Sequence, residues 1–220
     1  MPEKLRLRFA KKGRAVYISH LDLMRTMQRV FLRAGYSLKY SEGFNPHPVI
    51  SILLPLGVGT GSECELMDFQ LTEDADLAAM PEKLNKAMPE GITALEVKEA
   101  QGKVKDLKWL RISGRFDYDD RDAAAMRDGL QDFFAREQIV ITKKTKRGEG
   151  EADIAPAIRE IGFTAGESCV RISAVISAQE PTLNPEHLIS ALRQLAPELA
   201  PDFAEFTRVE VYNEKMKVFR

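Results

Sequence analysis

The chemistry-bearing residues of this chain concentrate between Tyr17 and Pro48, in YISHLDLMRTMQRVFLRAGYSLKYSEGFNPHP. Arg25, Arg29 and Arg33 fall at i, i+4 and i+8. On a helix these positions drift by only about 40° per step, so they form one stripe. Guanidinium forks suit phosphate oxygens. Like charges four residues apart oppose each other by a few tenths of a kcal/mol, which a counter-charged partner relieves. The competing reading is a solvated face balanced by an acidic region elsewhere. Beyond the helix, Tyr40, Ser41, Glu42, Phe44, Asn45 and His47 crowd a loop punctuated by Gly43, Pro46 and Pro48. Tyr40 and Phe44 beside Lys39 have the chemistry that stacks and clamps single-stranded nucleic acid. The alternative is that they staple the loop; Tyr36 is expected in the core.

His20 and His47 are two of only three histidines. With Tyr17 or Tyr40 they have the chemistry for metal-free RNA cleavage, a base taking the 2′-hydroxyl proton and an acid protonating the leaving oxygen. With Asp22, Glu42 or Cys64 they could hold a metal, but no ligand spacing is recognisable, so none is expected. A lone histidine at a helix start more often serves the turn, with Asp22 and Glu42 as organising neighbours. Gly57-Val-Gly59-Thr-Gly61 lacks the following helix and the Lys-Ser/Thr pair of a phosphate loop, and reads as a hairpin turn. Lys143, Lys144, Lys146 and Arg147 offer a second basic patch or a surface loop. Cys64 and Cys169 are too few for a disulfide framework and suit a reducing cytoplasm.

Net charge is −1, but residues 1–62 hold ten Lys or Arg against three acids, +7, leaving −8 for the other 158. That asymmetry points to a polyanion or an acidic partner. No apolar run reaches the roughly 18 residues of a membrane span, so no membrane partner is expected.

Leu5, Leu7 and Phe9 alternate with Arg6 and Arg8, predicting a strand with one wet face, which Ala15–Ile18 continues after a turn at Gly13. Ser19 is a candidate N-cap with Asp22 three residues on; Leu23, Met24, Met27, Val30, Phe31 and Ala34 follow at helical spacing, and Gly35 is a fitting stop. Val49–Leu54 and Cys64–Leu71 read as strands, a broken helix spans 74–88, and Ile92–Val97 closes a β-α-β-β-α-β order. After a polar linker the order repeats: Trp109–Phe116, a helix over 120–137, Ile139–Thr145, Val170–Ser177, a helix opened by Asn184-Pro185, and Arg208–Tyr212. The predicted fold is α+β, two tandem ferredoxin-like (βαββαβ) sandwiches with antiparallel sheets, in domains 1–100 and 108–220.

Lys12-Gly13, Tyr17-Ile18-Ser19-His20-Leu21-Asp22, Arg25, Arg29, Ala34, Tyr40 through Pro48, Pro55-Leu56-Gly57-Val58-Gly59 and Glu65 to Asp68 together resemble the bacterial radical SAM-linked protein family. In that family the module is a domain of unknown function, found alone or fused C-terminally to radical SAM enzymes. The resemblance covers the first half well and the second more loosely, through the basic strand and Asp153-Ile154. It implies a bacterial, cytoplasmic partner of a radical SAM enzyme, and brings no catalytic residue with it. The chain has no CxxxCxxC run to hold that cluster, and no cofactor of its own is expected. The expected function is an accessory or substrate-presenting protein, RNA-binding, in tRNA or rRNA modification, with no catalytic activity of its own expected. Arg25, Arg29, Arg33 and Lys39 would take phosphate, and Tyr40, Phe44, Asn45 and His47 would form the specific pocket over a floor organised by His20 and Asp22. The rivals are a metal-free endoribonuclease using His20 and His47, an activity also known on tandem ferredoxin-like folds, and a protein-docking module without RNA binding.

Overall fold

The computed structural model describes residues 4–145 and 148–220. It is an α+β protein built on antiparallel sheet, in two compact units. Unit 1 holds residues through Val104 together with Val218–Arg220, and unit 2 holds Lys105–Lys217.

In unit 1, β1 (Leu5–Lys11), α1 (His20–Arg33), β2 (Ile50–Leu53), β3 (Gly61–Phe69), α2 (Met80–Asn85) and β4 (Ile92–Glu99) follow in order. β1 pairs antiparallel with both β4 and β3, and β2 pairs with β3, so the sheet runs β4-β1-β3-β2. Ala15–Ile18 does not continue β1 as expected. Gly13, at φ +57°, turns the chain into a 3-10 segment, Gly13–Tyr17. The Ser19 hydroxyl then accepts from the Asp22 N–H at 3.2 Å and donates to its carboxylate at 2.7 Å. These reciprocal bonds start α1, and the Ser19 hydrogen bond is the first cause of an Asp22 carboxyl held below its ordinary range. α1 ends where Gly35, at φ +81°, lets the Tyr36 N–H reach the Phe31 carbonyl and its own N–H reach that of Leu32. Leu23, Met27, Val30 and Phe31 face inward onto Leu5, Leu7 and Phe9. Of the broken helix expected over 74–88, only Met80–Asn85 is α-helical, with Pro81 in its first turn.

The expected wet face of β1 is not wet. Arg6 is buried, and so is its cross-strand partner Asp68. The Arg6 Nε and Nη2 donate to the two Asp68 oxygens at 2.6 and 3.0 Å, Nη1 donates to the Gln101 carbonyl at 2.8 Å, and Lys4 reaches Asp68 at 2.6 Å. The Phe219 ring lies 4.6 Å from the guanidinium carbon. Alternation betrays the pleat, but not what covers its second face.

Unit 2 runs β5 (Leu107–Asp117), α3 (Ala123–Phe134), β6 (Val140–Thr145), β7 (Gly148–Asp153), β8 (Ile158–Ala165), β9 (Cys169–Ser177), α4 (Glu186–Leu195) and β10 (Phe203–Asn213). Its sheet is β10-β5-β9-β8, antiparallel throughout. The strand read at Ile139–Thr145 does not enter this sheet. It pairs only with β7, as a hairpin tied to α4 by Gln194, whose side-chain amide exchanges two hydrogen bonds with the Thr142 backbone at 2.8 and 3.0 Å. β8, inside the segment read as a connection, fills the sheet position instead. Lys146 and Arg147 of the second basic patch lie outside the described residues. Tyr118 is buried, donates to the Leu199 carbonyl at 2.9 Å, and has the Arg121 guanidinium 4.6 Å from its ring centre. Among the described residues no helix is long and apolar enough to cross a membrane.

Two predictions follow from these interiors. Asp68→Asn leaves the Arg6 charge buried without its counter-ion, and urea unfolding should show a loss of about 3–5 kcal/mol; a loss below about 1 kcal/mol would contradict the role given to the pair. Burial pushes the Tyr118 phenol up to about 12 from 10.0. A raised folded-state pKa favours the neutral, folded form, so this contribution is complete below pH 10 and lost as pH rises toward about 12. Tyr118→Phe should flatten that part of a stability–pH profile, and an unchanged alkaline slope would refute the assignment.

Candidate functional site

After Gly35 the chain forms an arm along the unit 1 sheet. The Lys39 N–H donates to the Gln70 carbonyl at 2.8 Å and the Val49 N–H to that of Lys39 at 2.7 Å, while Tyr40 and Pro48 form an antiparallel bridge. Residues 41–47 are the tip of this arm. The Ser41 N–H donates to the His47 carbonyl at 2.8 Å, and the Ser41 hydroxyl accepts from the His47 N–H at 3.1 Å. The His47 Nδ1 is 3.0 Å from the Ser41 hydroxyl and 3.3 Å from the Asn45 carbonyl. A carbonyl can only accept, so this geometry fits a proton on Nδ1 and leaves Nε2 as an acceptor. The tip is therefore closed by its own polar groups, with Gly43 at φ +121°.

What the closed tip displays is aromatic. Phe44 reaches 112 % relative exposure and Tyr40 55 %, so neither is a core staple. Tyr36, expected in the core, is half-buried with its ring 6.5 Å from that of Phe31. Burial, then the Asp76 charge, pushes its phenol up. Lys4, Ser41, His47, Ser51, Asp68 and Gln70 are among the residues lining a cavity of about 440 Å³ below the tip. Sequence reasoning missed Lys4, Asp68 and Gln70; only pairing of β1 with β3 brings them beside His47.

Arg25, Arg29 and Arg33 are all exposed along α1. Arg25 reaches Asp22 at 3.3 Å. Among the described residues Arg29, Arg33 and Lys39 have no ion pair, and Glu42 has none either. Leu21 and Leu32, at 66 and 76 % exposure, share this face, a feature the sequence reading did not single out.

His20 and His47 are not brought together. Ile50 and Leu5 both pair with Phe69, so the arm enters β2 level with the start of β1, and His47 shares its cavity with Lys4. His20 opens α1, beyond the other end of β1, a strand of seven residues spanning about 20 Å. Asp22 likewise serves the helix cap and Arg25 rather than the loop. The Gly57–Gly61 turn is tied to the 3-10 segment through the Gly59 N–H and Val16 carbonyl at 2.9 Å. Among the described residues no three His, Cys, Asp or Glu are grouped to hold a metal ion.

The Ser41 hydroxyl joins both ends of the tip through the His47 N–H and imidazole. Ser41→Ala should raise amide hydrogen exchange within residues 41–47 while lowering global stability by no more than about 1 kcal/mol. Unchanged exchange would show that the backbone bonds close the tip alone.

A family model described as "Uncharacterized protein conserved in bacteria (DUF2344)" matches residues 4–185. No curated protein matches. Among solved structures, an unknown protein from Galdieria sulphuraria is 11% identical over 95% of this chain and 99% of its own, at a TM-score of 0.28. The small subunit of acetolactate synthase from Thermotoga maritima is 11% identical over 97% and 98%, at 0.27. Scores this low carry no argument about fold or function.

Proposed function

The chain belongs to this uncharacterized bacterial family, and from that premise we propose that it is an RNA-binding accessory protein that presents substrate to a radical SAM enzyme in tRNA or rRNA modification. The observation that carries the RNA part is the α1 stripe: three exposed arginines at successive turns, of which Arg29 and Arg33 have no counter-ion among the described residues. A fold gains nothing from such a row, whereas a phosphate backbone neutralises it. Phe44 and Tyr40 supply faces on which bases stack, and Asn45 and His47 supply polar edges beside the cavity under the tip. Lys39 adds a phosphate contact at the base of the arm. The radical SAM partner rests on the motif from Tyr17 to Pro48.

Each unit is read here as a ferredoxin-like sandwich. The support is the shared sheet order, β4-β1-β3-β2 in one and β10-β5-β9-β8 in the other, with the β6–β7 hairpin as an insertion. A second reading, a docking face for an acidic protein surface, is favoured by Leu21 and Leu32, exposed on the helix that carries the arginines.

Anisotropy titrations of single-stranded RNA across a salt series separate these readings. Each phosphate neutralised contributes about 0.7 to the slope of log affinity on log salt. Arg25→Ala/Arg29→Ala/Arg33→Ala should lower that slope by about 2. Phe44→Ala should weaken binding by about 1–3 kcal/mol at an unchanged slope, since it removes a stack and no charge. Absence of binding at low salt would remove RNA as the ligand and leave the stripe to a protein partner.

A further inference from the structure

Unit 2 has a second feature that neither the motif nor the RNA reading uses. Its helices cover one face of the sheet, where Phe116, Phe163 and Phe206 pack, with Phe163 stacked on Phe134 of α3 at 5.7 Å. The register gives the contents of the opposite face row by row. Thr207, Ser113, Ser173 and Gly162 are successive cross-strand partners from β10 to β8. On one side of that row lie Glu205, Arg115, Arg171 and Thr164; on the other lie Glu210, Arg111, Val175 and Glu160.

A row of hydroxyls and one glycine between two rows of longer side chains makes a trough. Four strands about 4.8 Å apart give it a length of about 14 Å. A cavity of about 560 Å³ occupies this place, lined by Ser113, Arg115, Gly162, Thr164, Arg171 and Ser173 among others. That is the size of a small-molecule site.

The charges are unevenly used. Arg111 is committed to Glu160 at 3.4 Å and to the Tyr212 hydroxyl at 3.3 Å, and Arg115 to Asp117 at 2.6 Å. Arg171 is exposed and has no ion pair or hydrogen bond among the described residues. It also sits directly across from Arg115, a pairing of like charges that destabilises a sheet unless something is held between them. Glu205, the carboxylate of the same row, lies beyond Arg115, two strands from Arg171.

We propose that this trough binds a small molecule through a phosphate monoester, seated between Arg171 and the hydroxyls of Ser113, Ser173 and Thr164. One free guanidinium fork, a second shared with Asp117 and three hydroxyls offer more donors than the roughly four lone-pair sites of a carboxylate employ. A phosphate dianion, with three terminal oxygens, uses them. Among the residues that line the trough the one aromatic, Phe163, belongs to the helix side, and Trp109 and Tyr212 of the open face lie beyond Arg111. The site is therefore distinct in chemistry from the aromatic tip of unit 1.

Calorimetric titration of the full chain with glycerol phosphate, a simple phosphate monoester, at low ionic strength tests this. Saturable binding is expected, weakened at least about tenfold by Arg171→Ala, the equivalent of one charge-assisted hydrogen bond. Ser173→Leu, which fills the trough, should do the same, and Arg193→Ala, which removes an exposed arginine of α4, should change nothing. Citrate, whose charge is carried by carboxylates only, should bind at least about tenfold more weakly than glycerol phosphate. Absence of saturation, equal affinity in Arg171→Ala, equal affinity for citrate, or a parallel loss in Arg193→Ala each overturns the assignment. Arg171 is exposed and has no partner among the described residues, so its variant keeps the test decisive if Ser173→Leu fails to fold.

Discussion

The register of β1 against β3 in unit 1 depends on a desolvated ion pair. Asp68 and Arg6 are cross-strand neighbours buried almost completely, and each Asp68 oxygen is engaged. Two charges out of water are tolerated only while both stay paired and hydrogen-bonded. A slip of β1 against β3 by one residue would turn Arg6 to the apolar face and leave Asp68 without it. The pair thus holds the register that places Lys4 and Asp68 under the arm, and so the floor of the cavity beside His47. Phe219 and the Gln101 carbonyl, from distant parts of the chain, close the guanidinium in.

Against that background, the arginines divide by how they are satisfied. Arg6 is spent inside the fold. Arg121 likewise joins the Glu198 and Ala200 carbonyls, Asp202 and the Tyr118 ring. Arg29, Arg33 and Arg171 have no such obligations among the described residues. Guanidinium groups are costly to order and easily satisfied by protein oxygens. Those left facing solvent in rows, or opposite a like charge, are where a ligand changes the energy most. The two sites inferred here rest on that division, one extended and flanked by aromatics, the other short and lined by hydroxyls.

Local signals were legible wherever the deciding interaction lies within a few residues. Ser19 and Asp22 announce the start of α1, Gly35 its end, and the apolar spacing from Leu23 to Phe31 its buried side. Pro81 marks the first turn of α2, although the helix is shorter than its apolar pattern suggests. The loop from Tyr40 to His47 could be recognised as surplus to folding, because its residue types have no local task. That its tip closes on the Ser41 hydroxyl was not readable, since an imidazole and a hydroxyl six residues apart have many other possible partners.

Caps, turns, helix faces, strand alternation and the charge excess of the first 62 residues follow from residue order alone. Each depends on steric and hydrogen-bonding preferences that operate over one or two turns of chain. Which partners those elements meet depends on the packed fold. It buried Arg6 on a face that alternation marks as polar, and set His20 and His47 at opposite ends of β1. It put β8 in the sheet and β6 in a hairpin, and aligned Arg115 with Arg171 from strands more than fifty residues apart. The physical reason is that strand pairing and burial of charge are set by which distant surfaces exclude water together. No window of neighbouring residues contains that information.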